Sequence, residues 1–506
     1  MSERIEMGSL IKILPQNTFV RGVLTLASGT VGAQAILIAS APLLTRLYSP
    51  DEFGILSVFL SMLGLVGGIA ALRFELAIPL PEDDRNAAAL SVTGAVVVVL
   101  FSLALFALVT SYSESLANQF NAPILAPYLW LLPVTFFANG LFLLLNMLCV
   151  RHERFGDMAK AKVLQSAITV VVQVAGFSLG GAALIIGRVL GHVAAAIQLV
   201  RGIGLDYSVT VRTLKLYDLW RVAINYRTFP LISTWSALAS SIGSSITPLM
   251  FAAFFGLEMA GYFAMTMMVM VVPMSIIGVA VQNAFYRKAV DAHRTGRLAE
   301  LILAVQSRLV LATLPFFALS AFVLPDAFVL MFGEAWRVSG TFAVWILPWM
   351  LFQLTVTPCT GIFPIVGRLG LALLLDLSLA AAPVLAFSVA LWLRGDALFA
   401  VQLLSAIASL VYLARISIAY CLAGGQALTG VAVVLRGLMI AAIGVLPAFV
   451  VPNVWSGKPV LALLFAISCG ALLAAVAIRW AWKRLPEIDI GPYEQGAGSQ
   501  PAGIAS

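Results

Sequence analysis

The sequence predicts an all-α polytopic membrane protein whose roughly fourteen spans fall into groups of six, six and two. Three observations predict it. The 506 residues are 61% hydrophobic and only 10% charged, with a mean hydropathy of +1.02, whereas a soluble domain carries about 25% charged residues. The apolar runs are each roughly 20 residues long and lack strict alternation, which in hydrocarbon means helices and excludes a barrel. The lysines and arginines gather in alternate connections, as the positive-inside rule requires of spans. No interval between the runs could hold a packed soluble domain, so the fold is built from the spans themselves.

Windows of about 19 residues place the first six helices at 23–45, 53–73, 87–109, 124–149, 162–179 and 183–200. The second six follow at 229–255, 259–281, 301–324, 342–366, 369–393 and 397–420, and a last pair at 431–451 and 459–481. With the N-terminus inside, 25 of the 30 lysines and arginines fall in inside segments or their helix ends. Arg46, Arg337, Arg394 and Lys458 fall outside, and Arg188 stands alone within a span. One helix more or fewer would scramble this asymmetry downstream, so the count is even with both termini inside. The formal charge of +7 therefore orients the chain and calls for no nucleic acid. The apolar run 23–44 is too long for a signal-peptide core and no clean cleavage site follows, so the N-terminus is expected to be retained. Cys149, Cys359, Cys421 and Cys469 lie in or beside apolar runs without CxxC or Cys/His spacing, and read as small hydrophobes.

This divides the chain into a cytoplasmic segment 1–22, an N-lobe 23–200, a basic inter-lobe loop 201–228, a C-lobe 229–424, helices 13 and 14 within 425–482, and a tail 483–506. The tail is rich in Gly, Ser and Pro and is expected to be disordered. The inter-lobe loop mixes Val211, Leu214, Leu216, Leu219 and Trp220 with Arg212, Lys215 and Arg221. It is either a helix lying at headgroup level or a positively charged connector. An internal echo supports two lobes. The second helix opens with Ser49, Pro50, Asp51, Glu52, Phe53 and Gly54, a capping serine with proline and acids in the first turn. The eighth opens on Glu258, Met259, Ala260 and Gly261, so both place Gly three residues after an acid, with Pro42 or Pro248 upstream. Six helices separate the two, so the halves share orientation about an axis along the membrane normal.

LASGTVGAQAILIASAPLLTRLYSPDEFG at 26–54 and LRFELAIPLPEDDRNA at 72–87 resemble the opening of bacterial polysaccharide biosynthesis membrane proteins. These are the oligosaccharide flippases of the multidrug, oligosaccharidyl-lipid and polysaccharide exporter superfamily. FPLISTWSALASS at 229–241, FFGLEMAGYFAMTMMVMVVPMSIIGVAVQNAFYRKA at 254–289 and MFGEAWRVSG at 331–340 extend the resemblance, in family order, across most of residues 20–420. The last two helices carry no such signature. The resemblance implies two six-helix lobes around a central cavity that opens alternately to each side of a bacterial cytoplasmic membrane. It implies a cargo, an oligosaccharide on a polyprenyl pyrophosphate, moved from inner to outer leaflet without covalent chemistry or cofactor. The partners it implies are that lipid-linked oligosaccharide, membrane lipids, and polysaccharide polymerase and chain-length machinery.

Such a cargo is amphipathic and anionic, so charges inside the membrane are the place to look; each costs at least about 2.5–3.5 kcal/mol there. Arg188 stands about two turns into the sixth helix and His192 follows at i+4 on the same face. Their alternatives are a pyrophosphate or sugar contact with a titratable neighbour, or a snorkelling arginine with a packing histidine. Arg46 ends the first helix as an interfacial anchor, a partner of Asp51 or Glu52, or a gate residue. Arg73 and Glu75, before the acidic cluster Glu82, Asp83 and Asp84, either face the cavity mouth or pair locally. Asp376 lies in the eleventh helix with no basic residue near it in sequence, and is read as a proton- or cation-coupling carboxylate or a helix-packing hydrogen bond. Glu258 is read as a helix-start acid.

Two other functions stay open. A drug or cation antiporter of the same superfamily would share the architecture. A membrane polysaccharide polymerase or ligase needs a sizeable outer loop for its chemistry; the outer loops here are short, and no DxD, phosphate-cradling Gly loop or metal-ligand spacing occurs in a polar segment.

Overall fold

The computed structural model describes residues 18–203, 213–433 and 435–436, with the single positions 468, 472, 475, 476 and 479. The expected N-terminal segment through residue 17, part of the inter-lobe loop, most of helices 13 and 14 and the tail lie outside the described residues. The described residues form helices and turns with no strand among them. The N-terminal half contains α1 (Thr18–Leu47), α2 (Pro50–Gly67), α3 (Asp84–Gln119), α4 (Leu131–Arg151), α5 (Phe155–Ala175) and α6 (Gly181–Ile203). A connector helix (Leu216–Asn225) leads to α7 (Thr234–Phe255), α8 (Leu257–Arg294), α9 (Leu298–Phe332), α10 (Arg337–Val356), α11 (Leu369–Trp392) and α12 (Ala397–Leu422). Eleven of these helices hold an apolar window long enough to span a membrane, and α8 adds the shorter apolar stretch Leu257–Val271. The chain is a multi-pass all-α membrane protein.

Local chemistry sets the helix ends, and moves several of them from the expected places. Ser49 caps α2, accepting from the Glu52 amide at 3.4 Å while its own amide donates to the Glu52 carboxylate at 2.7 Å, with Pro50 in the first turn. The helix therefore starts earlier than position 53 and stops at Gly67. Beyond it Leu72 and Arg73 take positive φ of 48° and 63°, turning the chain into a 3-10 helix at Phe74–Ala77. Pro123 and Pro127 make a 3-10 turn of Pro123–Tyr128, which delays α4 to Leu131. At 36, 38 and 35 residues, α3, α8 and α9 reach roughly 50–57 Å and outrun a hydrocarbon core of about 30 Å.

Successive spans alternate in direction, so Arg73, Arg85, Arg151, Arg154, Arg201, Arg294, Arg297 and Arg368 collect at one end of the bundle, the basic end. Within the first half α5 packs on α1 and α6, and α4 on α6; within the second α9 packs on α10, and α12 on α10 and α11. In lipid there is little hydrophobic drive for this association, so close backbone approach supplies it. A Cβ at Gly29 would collide with Ala159, and one at Gly187 with Gln173 and the Thr169 carbonyl. The second half adds an aromatic cluster, with Phe251 stacked on Phe263 at 4.8 Å and edge-on to Phe387 at 4.8 Å. The two halves meet chiefly where α2 lies along α7 and α8.

Candidate functional site

The second half holds a partly open, mainly apolar cavity of about 630 Å³ with several polar groups, between α7, α8, α10, α11 and α12. On α7, Ser236, Ser240 and Ser244 recur every four residues and line one wall. Thr247, Gln353, Asp376 and Tyr412 complete the polar lining. The Gln353 carbonyl oxygen is sealed from solvent without a hydrogen-bond partner in the structure.

Asp376 is not the unpaired carboxylate that its sequence neighbourhood suggests. Arg415, 39 residues on, reaches across from α12 and donates to it. The sequence reading counted Arg415 as a helix-end charge, because pairing between neighbouring helices leaves no local signal. The Arg415 side chain is 10% exposed and that of Asp376 62%, so the carboxylate faces the cavity and the cation is sunk behind it. The guanidinium also lies 6.0 Å from the Phe363 ring centroid.

In the first half Arg188 and Lys162 lack acidic partners among the described residues. Gly187 and Gly191 of α6 face Thr169 and Gln173 of α5, which leaves Arg188 and His192 together on an adjacent face. The Arg188 guanidinium makes no hydrogen bond or ion pair among the described residues, and its Nε is buried without a partner. His192 Nδ1 lies 2.8 Å from the Arg188 carbonyl oxygen. Since a carbonyl only accepts, Nδ1 is the donor in this contact. The i+4 spacing thus brings the two residues together through the backbone, with the guanidinium itself left over. Lys162 on α5, which the charge pattern counted as a helix-end charge, donates to Thr30 Oγ1 of α1 at 3.0 Å.

At the basic end Arg73 and Glu75 pair at 3.5 Å, the local pairing that was one of the two expectations for them. Glu75 is buried, and desolvation pushes its carboxyl up against the pull of its backbone hydrogen bond and of Arg73. Arg151 has a role that sequence reasoning missed. It donates to Asp84 at 2.8 and 3.0 Å and to the Pro81 and Glu82 carbonyls at 2.5 and 3.2 Å, closing the loop into α3.

The opposite end is closed by the sequence echo itself. A Cβ on Gly54 would strike the Leu257 carbonyl, and a Cβ on Gly261 would strike the Pro50 carbonyl. Leu257 immediately precedes the acid Glu258, and Pro50 immediately precedes Asp51, so each copy of the motif seats its glycine on the helix start of the other. Such reciprocity is the mark of a two-fold relation between the halves. Only glycine lets the backbones approach this closely. Trp336 plugs the same seam. It is fully buried, donates from Nε1 to the Thr45 carbonyl at 3.1 Å, and lies edge-on to Phe53 at 5.0 Å and Tyr262 at 6.1 Å. Tyr262 in turn donates to Glu258 at 2.7 Å, so this acid is more than a helix start. Arg46 is exposed and makes no ion pair with Asp51 or Glu52, whose neighbour Ser49 holds the Glu52 carboxylate instead. Arg188, Arg46, Arg73 and Asp376 thus occupy four separate places and do not touch one another.

A family profile described as polysaccharide biosynthesis protein matches residues 43–340. No curated relative matches the chain in sequence. Among solved structures the chain is similar to the lipid II flippase MurJ in an inward closed conformation, with a TM-score of 0.70 at 12% identity over 91% of this chain and 99% of that one. It is also similar to an inward-facing multidrug resistance MATE family transporter of the MOP superfamily, with a TM-score of 0.59 at 14% identity over 81% of this chain and 95% of that one. At these identities the likeness is one of fold.

Proposed function

Because this chain belongs to the polysaccharide biosynthesis protein family, we propose that it is a flippase for a polyprenyl-pyrophosphate-linked oligosaccharide or repeat unit. It acts by alternating access and carries out no covalent chemistry. One of the solved structures that share its fold is that of a lipid II flippase. The basic end faces the cytoplasm of a bacterial inner membrane, with both termini inside.

The observation that carries this reading is Arg188, a guanidinium within a span that has no partner among the described residues. An arginine there is costly unless an anion completes it, and a pyrophosphate matches its forked donors. His192 and the inner-rim Arg73 assist, with Arg46 at the opposite rim. The hydroxyls, carboxylate and aromatic rings of the second-half cavity suit sugar hydroxyls and ring faces. Asp376 and Glu75 are the coupling candidates: a proton or cation on Asp376 competes directly with Arg415 for the carboxylate. The reciprocal glycine seam is the gate that parts for release. Polysaccharide polymerase and chain-length machinery would take up the delivered cargo.

The test is a deletion strain profiled for surface polysaccharide, together with transfer of a lipid-linked glycan by the purified protein in vesicles. Normal export in the first, or no movement in the second, sinks the proposal. A second reading, a drug or cation antiporter, is favoured by one observation, the cavity-facing Asp376 carboxylate in a fold shared with a multidrug transporter. Ion-driven efflux of a cationic dye, with no effect on polysaccharide, would establish that alternative.

A further inference from the structure

The connector helix has two faces, and the functional reading uses neither. Val222 is buried, and Asp218 accepts from Arg85 Nη2 at 2.9 Å and from the Lys215 amide at 2.9 Å. Arg221 donates to Asn86 at 2.9 Å. These contacts fasten the helix to the start of α3 in the first half. The other face carries Leu216, Tyr217, Trp220 and Ile224, at one-turn spacings, with exposures of 82%, 69%, 68% and 45%. A 10-residue helix presenting two aromatics and two aliphatics to the outside has the composition of an interfacial helix.

Three features identify what covers this face. Only residues 226–228 separate the helix from the span Phe229–Phe255, so it stays within about 10 Å of that span. The apolar stripe continues into Leu231, Ile232 and Trp235, which are 64%, 66% and 69% exposed on that span. Exposed Lys215, Arg221 and Arg227 flank the stripe, and exposed Arg201 lies at the end of α6. An apolar stripe continuous with the span surface and edged by cations matches a leaflet bearing anionic headgroups.

We propose that the connector helix is an anionic-phospholipid binding element. Leu216, Tyr217, Trp220 and Ile224 lie at the acyl boundary, and Lys215 and Arg227 take lipid phosphates. The helix is pinned to the first half through Asp218 and Asn86 and runs directly into the opening turn of the second. The lipid at this point therefore grips the hinge between the halves.

The test uses the full chain with Tyr217→Cys, Cys421→Ser and Cys469→Ser, labelled with bimane and reconstituted in phosphatidylcholine or in phosphatidylcholine with phosphatidylglycerol. We expect shallow brominated lipid to quench the label at least about twofold more than aqueous iodide does, as for a side chain at the acyl boundary. The excess should grow with phosphatidylglycerol, shrink in high salt, and fall in Lys215→Gln/Arg227→Gln. Quenching by iodide alone would overturn the proposal. Equal lipid quenching with and without phosphatidylglycerol would overturn the anionic requirement, and reproduction of the phosphatidylglycerol effect by inorganic phosphate would reassign the cations to a free anion. Leu216→Gln/Trp220→Gln, on the exposed face, should keep the Arg85–Asp218 contact and the thermal transition while losing lipid quenching. Retained quenching in that variant would also overturn the assignment.

Discussion

The fifth and eleventh helices show how differently the two halves handle charge within one architecture. Both enter from the basic end, and both carry a charged residue seven positions after the first: Lys162 after Phe155 in α5, Asp376 after Leu369 in α11. Lys162 is bonded to a neutral hydroxyl, that of Thr30, whereas Asp376 is met by Arg415 from the twelfth helix. The sixth helix adds Arg188, which likewise has no acidic partner among the described residues. Arg188 and Lys162 of the first half have no acid beside them among the described residues, whereas Asp376 of the second is balanced by Arg415. A pair that balances itself needs no ligand, while isolated guanidinium and ammonium groups in a low-dielectric bundle favour an anion arriving from outside. On the proposed function, the first half is where the pyrophosphate would sit, and the second-half cavity, with its serines, is where the sugars would.

The largest expected effect breaks this contrast at Arg188. Arg188→Ala should leave protein levels in the membrane unchanged and lower complementation of a deletion strain by more than about tenfold, since a charge-assisted contact is lost. Arg188→Lys should retain part of the activity, because the charge survives and the fork does not. Full complementation by the alanine variant would return Arg188 to a snorkelling role. Lys162→Met should fall between wild type and Arg188→Ala.

The next effect tests where the halves are alike. Because Gly54 and Gly261 play reciprocal parts, Gly54→Leu and Gly261→Leu should damage the seam equally and additively to neither. Maleimide labelling of Thr45→Cys, buried beneath Trp336, measures it in a chain lacking Cys421 and Cys469. We expect labelling to rise severalfold in either leucine variant and no further in the double variant. An effect from only one glycine would show that the reciprocity is geometric and not energetic.

A smaller effect sharpens the contrast from the other side. Removing Arg415 leaves a carboxylate facing the cavity, and removing Asp376 leaves a buried guanidinium, which is costlier. Asp376→Asn should therefore destabilise more than Arg415→Met, by about 1–3 kcal/mol, less than for a fully buried pair because the carboxylate is 62% exposed. The double variant should recover part of the loss. Thermal unfolding in detergent reads all three, and equal penalties would mean that the pair is solvated throughout.

These contrasts mark how far the sequence could be read. Apolar run length and the positive-inside asymmetry yielded the twelve long helices of the described residues and their order, because both are sums over many residues. The acid-to-glycine echo was visible as a repeat, but that its two copies seat on one another depended on backbone approach, which no side-chain pattern encodes at glycine. Asp376 looked isolated because its partner sits on the next helix, and Arg151 looked like an orienting charge because its bonds go to loop carbonyls. Arg188 was legible for the opposite reason: a lone arginine in an apolar run has no local partner to be mistaken for. Helix ends moved wherever capping or proline chemistry outweighed hydropathy, as at Ser49 and Pro123.

The smallest expected effect lies between the halves, at the Arg85–Asp218 contact that fastens the connector helix. The Lys215 amide and Arg85 hold the Asp218 carboxyl below the usual carboxylate range. A depressed folded-state pKa contributes stability above the unfolded-state value, and that contribution is lost as pH falls through the folded-state value. Asp218→Asn should therefore raise amide exchange across residues 216–225 relative to wild type at pH 7, where the carboxylate is charged. At a pH below the depressed value the two proteins should exchange alike, after correction for intrinsic rates. Since Arg85 is half exposed, high salt at pH 7 should narrow the difference in the same direction. If the difference persists unchanged at low pH and high salt, the connector is held by Val222 and by the bilayer rather than by this ion pair, and the halves are joined through lipid contact more than through charge.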